Sequence, residues 1–130
     1  MRDVGGVGIL VAEDEDLLRE LFESVLTEAG FAVTLAADGQ SAMQLIEDHP
    51  GRFQALLTDI RIGRGPDGWA LATKAREHAP DLPVLYMSGD SADEWSSKGV
   101  PKSVMIPKPF VLAQVVTALA TLLNETGAGS

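Results

Sequence analysis

The stretch Gly8-Ile9-Leu10-Val11-Ala12-Glu13-Asp14-Glu15 decides how this chain is to be read. Gly8 to Ala12 is an unbroken apolar run, the pattern of a strand buried on both faces. Polar chemistry starts abruptly after it, with Glu13 and Asp14. Three later runs end in the same way. Asp59 follows Ala55-Leu56-Leu57-Thr58, Ser88 follows Val84-Leu85-Tyr86-Met87, and Lys108 follows Val104-Met105-Ile106-Pro107. If these runs are parallel strands, three carboxylates, a hydroxyl and an ammonium gather at one end of one sheet.

The segments between the runs support that arrangement. Leu17, Leu18, Leu21, Phe22, Val25 and Ala29 recur at helical spacing, and Gly30 follows as a stop. Residues 31–36 read as a second strand. Ala42, Leu45 and Ile46 mark a short helix ending near His49-Pro50, and residues 53–58 make a third strand. A loop over 60–68 holds Gly63, Gly65, Pro66 and Gly68. Then come a helix over 69–79, a fourth strand over 82–87, a short fifth over 104–106 and a last helix over 111–124. Residues 91–101 carry few apolar side chains and are closed by Gly99 and Pro101, so the fourth helix is expected to be short or poorly ordered. The expectation is one α/β domain over 1–130, with a core of about 8–123 and flexible ends. Its parallel sheet is covered on both faces, with right-handed crossovers. In open sheets of this kind, ligands sit beyond the carboxyl ends of the strands.

Composition narrows the function classes. The chain has 130 residues, 45% of them apolar, enough for a proper core. Its 10 Lys and Arg against 19 Asp and Glu give a net charge of −9, which repels phosphate backbones and argues against direct nucleic-acid binding. There is no cysteine, hence no disulfide framework or thiolate metal site. No apolar run is long enough to span a bilayer, and the first residues lack the plan of a signal peptide, so a cytoplasmic location is expected.

The collected groups suit a divalent cation and a phosphoryl group. Mg²⁺ (or Mn²⁺) takes oxygen ligands, commonly one or two carboxylates with waters and a phosphate oxygen. Asp14 and Asp59 could supply the carboxylates, Glu13 could reach the metal directly or through water, and the Arg61 carbonyl could add a further oxygen. A carboxylate so placed can attack a phosphoryl donor. The metal, the Lys108 ammonium and the Ser88 hydroxyl would then neutralise the equatorial oxygens.

In order and spacing, these pieces resemble the receiver domain of two-component response regulators. The resemblance runs from about Gly8 to Leu123 through Ile9-Leu10-Val11-Ala12-Glu13-Asp14-Glu15, Leu56-Leu57-Thr58-Asp59, Asp67-Gly68, Met87-Ser88-Gly89 and Lys108-Pro109-Phe110. It implies a flavodoxin-like fold of strand order 2-1-3-4-5 and a phosphoacceptor at Asp59, charged by a histidine kinase or a histidine phosphotransfer protein. It further implies Mg²⁺ held by Asp14, Asp59 and the Arg61 carbonyl with help from Glu13, a switch hydroxyl at Ser88, a phosphoryl contact from Lys108, and a cis Lys108–Pro109 bond. Such a domain is a switch rather than an ordinary enzyme. With no second domain in the chain, output is expected through an unidentified protein partner. The end soon after the last helix suits a free-standing regulator or a C-terminal receiver.

The chain departs from the family pattern in four places. Glu13 stands where a first aspartate is commoner. Ile62-Gly63 replaces the usual Met-Pro, and the loop to Asp67-Gly68 is one residue longer. Met105 takes the switch position where an aromatic is typical, and its flexible side chain need not report the phosphoryl state through one rotamer pair. Arg61 and Asp90 flank the approach to Asp59 and are expected to pair across its mouth, tuning phosphoryl lifetime. Two rival readings stay open. A Mg²⁺-dependent phosphohydrolase would need a water-activating carboxylate where Arg61 stands, and a receiver of lapsed phosphorylation would signal by constitutive binding.

Overall fold

Each apolar run becomes a strand in the computed structural model, which describes residues 7–125. Strands β1 (Gly8–Ala12), β2 (Ala32–Ala36), β3 (Ala55–Asp59), β4 (Val84–Ser88) and β5 (Val104–Pro107) form one sheet of order β2-β1-β3-β4-β5. Every neighbouring pair is parallel. Helices α1 (Asp16–Glu28), α2 (Gly39–Asp48), α3 (Gly68–His78), α4 (Trp95–Lys98) and α5 (Leu112–Glu125) alternate with the strands. This is the expected flavodoxin-like, doubly wound α/β fold.

The reason the central runs are almost wholly apolar is geometric. Successive strand side chains point to opposite faces. Leu10, Leu56 and Tyr86 therefore enter one core with Ile46 of α2 and Leu71 of α3. Their neighbours Ile9, Leu57 and Leu85 enter a second core with Phe22 of α1 and Leu119 of α5. Both faces are dry in the middle of the sheet, so alternation gives way to continuous hydrophobicity. β2 is an edge strand, and only its last residue, Ala36, is fully buried.

Helix α1 buries a narrower stripe than its apolar spacing suggests. Phe22 and Leu26 are covered, whereas Leu17 and Leu21 stay 64% and 41% exposed. The inward stripe is spent on the α5 side of the sheet, and the Leu17–Leu21 stripe is left facing out. The fourth helix is short, as expected: a 3₁₀ turn at Ala92–Glu94 leads into the four residues of α4. Trp95 anchors that segment, its indole N–H donating to Ser103 Oγ at 2.9 Å, which in turn donates to the Val100 carbonyl at 2.6 Å. His49 and His78 lie exposed at the ends of α2 and α3. The frayed tail expected over 126–130 and the start over 1–6 lie outside the described residues.

Tyr86 ties the strands to the weak α4 region. It is fully buried, its ring centroid lies 4.7 Å from that of Trp69, and its hydroxyl accepts the Val100 N–H at 3.1 Å. Tyr86→Phe keeps the ring and leaves that N–H without its acceptor. We expect a loss of about 1–2 kcal/mol in urea unfolding, with the denaturant slope unchanged.

Candidate functional site

The parallel register brings the polar residues level. Ala12 pairs with Thr58, Asp59 with Met87, and Ser88 with Pro107. Glu13, Asp59, Ser88 and Lys108 thus leave their strands at one edge, and a single site draws on four strand ends. Glu13, Asp14 and Asp59 each place a carboxylate oxygen within 4.8 Å of the others. The Lys108 ammonium lies 2.6 Å from Asp59 Oδ2 and 4.0 Å from Glu13 Oε1.

Backbone N–H groups hold the carboxylates in place. The Ile60 N–H donates to Asp59 Oδ1 at 2.7 Å, and the Glu15 N–H donates to Glu13 Oε2 at 3.0 Å. Glu13 Oε1 has no such donor. It is the only buried side-chain oxygen or nitrogen without a hydrogen-bond partner among the described residues. An orphaned carboxylate oxygen is costly in a buried place unless a cation compensates it. Burial, reinforced by the charges of Asp59 and Asp14, raises the Glu13 carboxyl to about 7, against the opposing pull of the Glu15 N–H and Lys108. Burial pulls the Lys108 ammonium down, but the hydrogen bond and charge of Asp59, with Glu13 and Glu15, outweigh it and hold it above its ordinary value. One ammonium among three carboxylates leaves an excess of negative charge. The donor set, all oxygen with one oxygen orphaned, fits a hard divalent cation.

The remaining predicted residues lie at or just past the ends of β3, β4 and β5, apart from Met105 within β5. Ser88 is buried, and its Oγ accepts the N–H groups of Ser91 at 2.7 Å and Asp90 at 3.2 Å. The Lys108 N–H donates to the Ser88 carbonyl at 2.7 Å, fastening the ends of β4 and β5 together, and the Lys108–Pro109 bond is cis. Arg61 Nε lies 3.3 Å from Asp90 Oδ2, with both side chains largely exposed. A hydrogen bond from Ser91 is the main reason the Asp90 carboxyl is held low, with Arg61 adding to it. Met105 is half-buried and pairs with Tyr86 across β4 and β5.

Two contributors escaped the sequence reading. Arg19 donates to the Glu13 carbonyl at 3.0 Å and to Asp16 at 2.7 Å, bracing the turn that carries Glu13 and Asp14. The Asp16/Arg19 spacing on one helical turn was the available signal. Tyr86 was hidden inside an apolar run. Its place beside Met105 emerges only from the register.

Residues 9–120 match the response regulator receiver domain. The chain belongs to that family. It is 33% identical over 117 residues to the response regulator receiver protein CpdR of Brucella abortus, spanning 88% of this chain and 95% of that one. A response regulator receiver protein of Sinorhizobium medicae superposes with a TM-score of 0.87 at 45% identity, covering 92% of this chain and 95% of the other. The receiver domain of the Pseudomonas aeruginosa sensor histidine kinase PA1611, solved with a magnesium ion coordinated in its active-site cleft, gives 0.76 at 25% identity, covering 92% and 98%. Other relatives are longer: the chain spans 13% of one sensor kinase and about half of several regulators that it matches. A receiver is a phosphorylation-controlled switch of two-component signalling, not a conventional enzyme. No helix among the described residues is long and apolar enough to cross a membrane.

Proposed function

We propose that this receiver takes a phosphoryl group on Asp59 and signals through protein contacts, with residues 1–130 acting as one cytoplasmic unit. The observation that carries the reading is the buried Glu13 oxygen that lacks a hydrogen-bond partner beside the Lys108–Asp59 pair. Asp59 Oδ2 attacks phosphorus. The P–N bond of a phosphohistidine, or the P–O bond of acetyl phosphate, breaks with its electron pair leaving on the departing group. Asp14, Asp59 and the Arg61 carbonyl, with Glu13 directly or through water, would hold Mg²⁺ (or Mn²⁺), which when bound would supply positive charge to the transferring oxygens. Lys108, already against Asp59 Oδ2, shifts its ammonium to a phosphoryl oxygen. Ser88 donates its hydroxyl proton to another and, with Met105, forms the switch.

The donor is a histidine kinase or a histidine phosphotransfer protein. Leu17 and Leu21, one turn apart on α1, and Val111 before α5 are exposed, and the Phe22–Phe110 ring contact joins the two elements. An apolar helical face on the donor would suit them. The downstream partner is another protein, not nucleic acid, consistent with the charge of −9.

Intact-mass spectrometry after incubation with acetyl phosphate and Mg²⁺ tests the reading. One phosphoryl group should be gained, and none in EDTA. An unlabelled protein whose amide NMR spectrum is also indifferent to beryllofluoride would instead be a phosphorylation-independent binding module. The Arg61–Asp90 pair is assigned to shielding the acyl phosphate from water. An exposed pair adds little stability, so the effect should be kinetic. Arg61→Ala is expected to speed dephosphorylation several-fold without moving the melting temperature, and an unchanged rate removes the assignment.

A further inference from the structure

The loop that leaves Asp59 is built into the first turn of α2. Three of its carbonyls are tethered. That of Ile60 accepts the Gly68 N–H at 2.8 Å, that of Ile62 accepts the Gly39 N–H at 3.1 Å, and that of Arg64 accepts the Gln40 N–H at 3.0 Å. Gly39 and Gln40 open α2, where backbone N–H groups have no partner within the helix. The Asp38 side chain caps the next one, accepting the Ser41 N–H at 2.8 Å. Loop and helix therefore satisfy each other.

The contact is backbone against backbone, and glycine makes it possible. A Cβ on Gly39 would lie 1.8 Å from the Pro66 carbonyl oxygen. A Cβ on Gly65, at φ +91°, would lie 2.5 Å from the Gln40 nitrogen. Ile62 is buried in the core that also holds Ala42 and Ile46 of α2. The Arg61 carbonyl lies between two tethered carbonyls, and no described backbone N–H donates to it. Neighbouring carbonyls are consumed by the fold, and this one is left available.

We propose that Gly39, Gln40 and Gly65 are positioning residues: by interlocking α2 with the loop, they hold the Arg61 carbonyl where it can serve the cation. The proposal rests on the Mg²⁺ reading given above. A donor fixed before binding loses less conformational freedom when the ion arrives, so affinity rises with the rigidity of the interlock. The coupling is reciprocal, and bound Mg²⁺ must tighten the first turn of α2 by the same factor.

Isothermal titration with Mg²⁺ on the full chain tests this with Gly65→Ala, Gly51→Ala and Asp14→Asn. Gly51 also has a left-handed backbone, at φ +83°, but nothing lies within 4 Å of its Cβ position. It controls for conformational strain alone. Gly65→Ala should weaken Mg²⁺ several-fold and Gly51→Ala should leave it unchanged. In the unsubstituted protein, Mg²⁺ should slow amide exchange at Gly39 and Gln40. Wild-type affinity in a folded Gly65→Ala protein overturns the proposal. If that variant does not fold, unaltered exchange at Gly39 and Gln40 on adding Mg²⁺ overturns it. Absence of Mg²⁺ binding in the unsubstituted chain and Asp14→Asn alike would remove the metal reading itself, and the interlock's role with it.

Discussion

Asp59→Asn is expected to abolish phosphoryl uptake from acetyl phosphate under conditions that label the unsubstituted chain, while leaving the fold intact. The attacking atom must be an oxygen carrying negative charge, and a neutral amide offers none. The structure also predicts what the substitution does to its surroundings. Asp59 uses both oxygens, Oδ1 toward the Ile60 N–H and Oδ2 toward Lys108. Asparagine has one acceptor oxygen, so one of those two donors goes unserved. Against that loss, a like charge beside Glu13 is removed, and the two effects oppose each other in the melting temperature. Mg²⁺ binding should weaken too, because one of three convergent carboxylates is gone. Intact mass, thermal melting and Mg²⁺ titration on the same preparation separate these consequences. Labelling at the wild-type level would move the acceptor to Glu13 or Asp14 and dismantle the assignment.

The site was legible because a parallel sheet turns sequence order into spatial coincidence. Asp59 and Lys108 are 49 residues apart and meet at 2.6 Å, since both follow runs that end at the same edge. Glu13 and Ser88 were readable for the same reason. The brevity of α4 was legible from Gly99, Pro101 and the scarcity of apolar side chains. What escaped was whatever depends on how elements pack. The apolar spacing of α1 does not say that Leu26 is buried while Leu17 is exposed, because the helix's rotation is set by α5 and the sheet. The fastening of the Asp59 loop to α2 consists of backbone bonds between Gly39, Gln40, Ile62 and Arg64. Backbone bonds have no side-chain signature, and a lone glycine in a loop reads as a turn. The Arg61–Asp90 pair could be expected as a proximity, while its 3.3 Å geometry required the fold.

Glu13→Gln is expected to stabilise the metal-free protein at pH 8 by roughly 3–4 kcal/mol while weakening its response to Mg²⁺. The magnitude follows from a carboxyl raised from 4.5 to about 7, at roughly 1.4 kcal/mol per unit. The folded chain then holds a proton that the unfolded chain releases. Stability from this group is therefore intact below about pH 4.5 and lost as the pH climbs to about 7, in the direction opposite to that of a salt-bridged carboxylate. Glutamine has no proton to lose, keeps the shape, and can still accept the Glu15 N–H that Glu13 Oε2 accepts now. In EDTA the two proteins should melt alike near pH 4.5 and diverge toward pH 8, with the glutamine variant the more stable. An ionised Glu13 carboxylate would help to hold Mg²⁺ where glutamine would not, so at pH 8 the unsubstituted chain should gain more from the ion. Parallel melting curves for the two proteins in EDTA from pH 4.5 to 8 would mean that Glu13 is not buried as a charge-sensitive ligand. The departure from the commoner aspartate would then be a matter of shape alone.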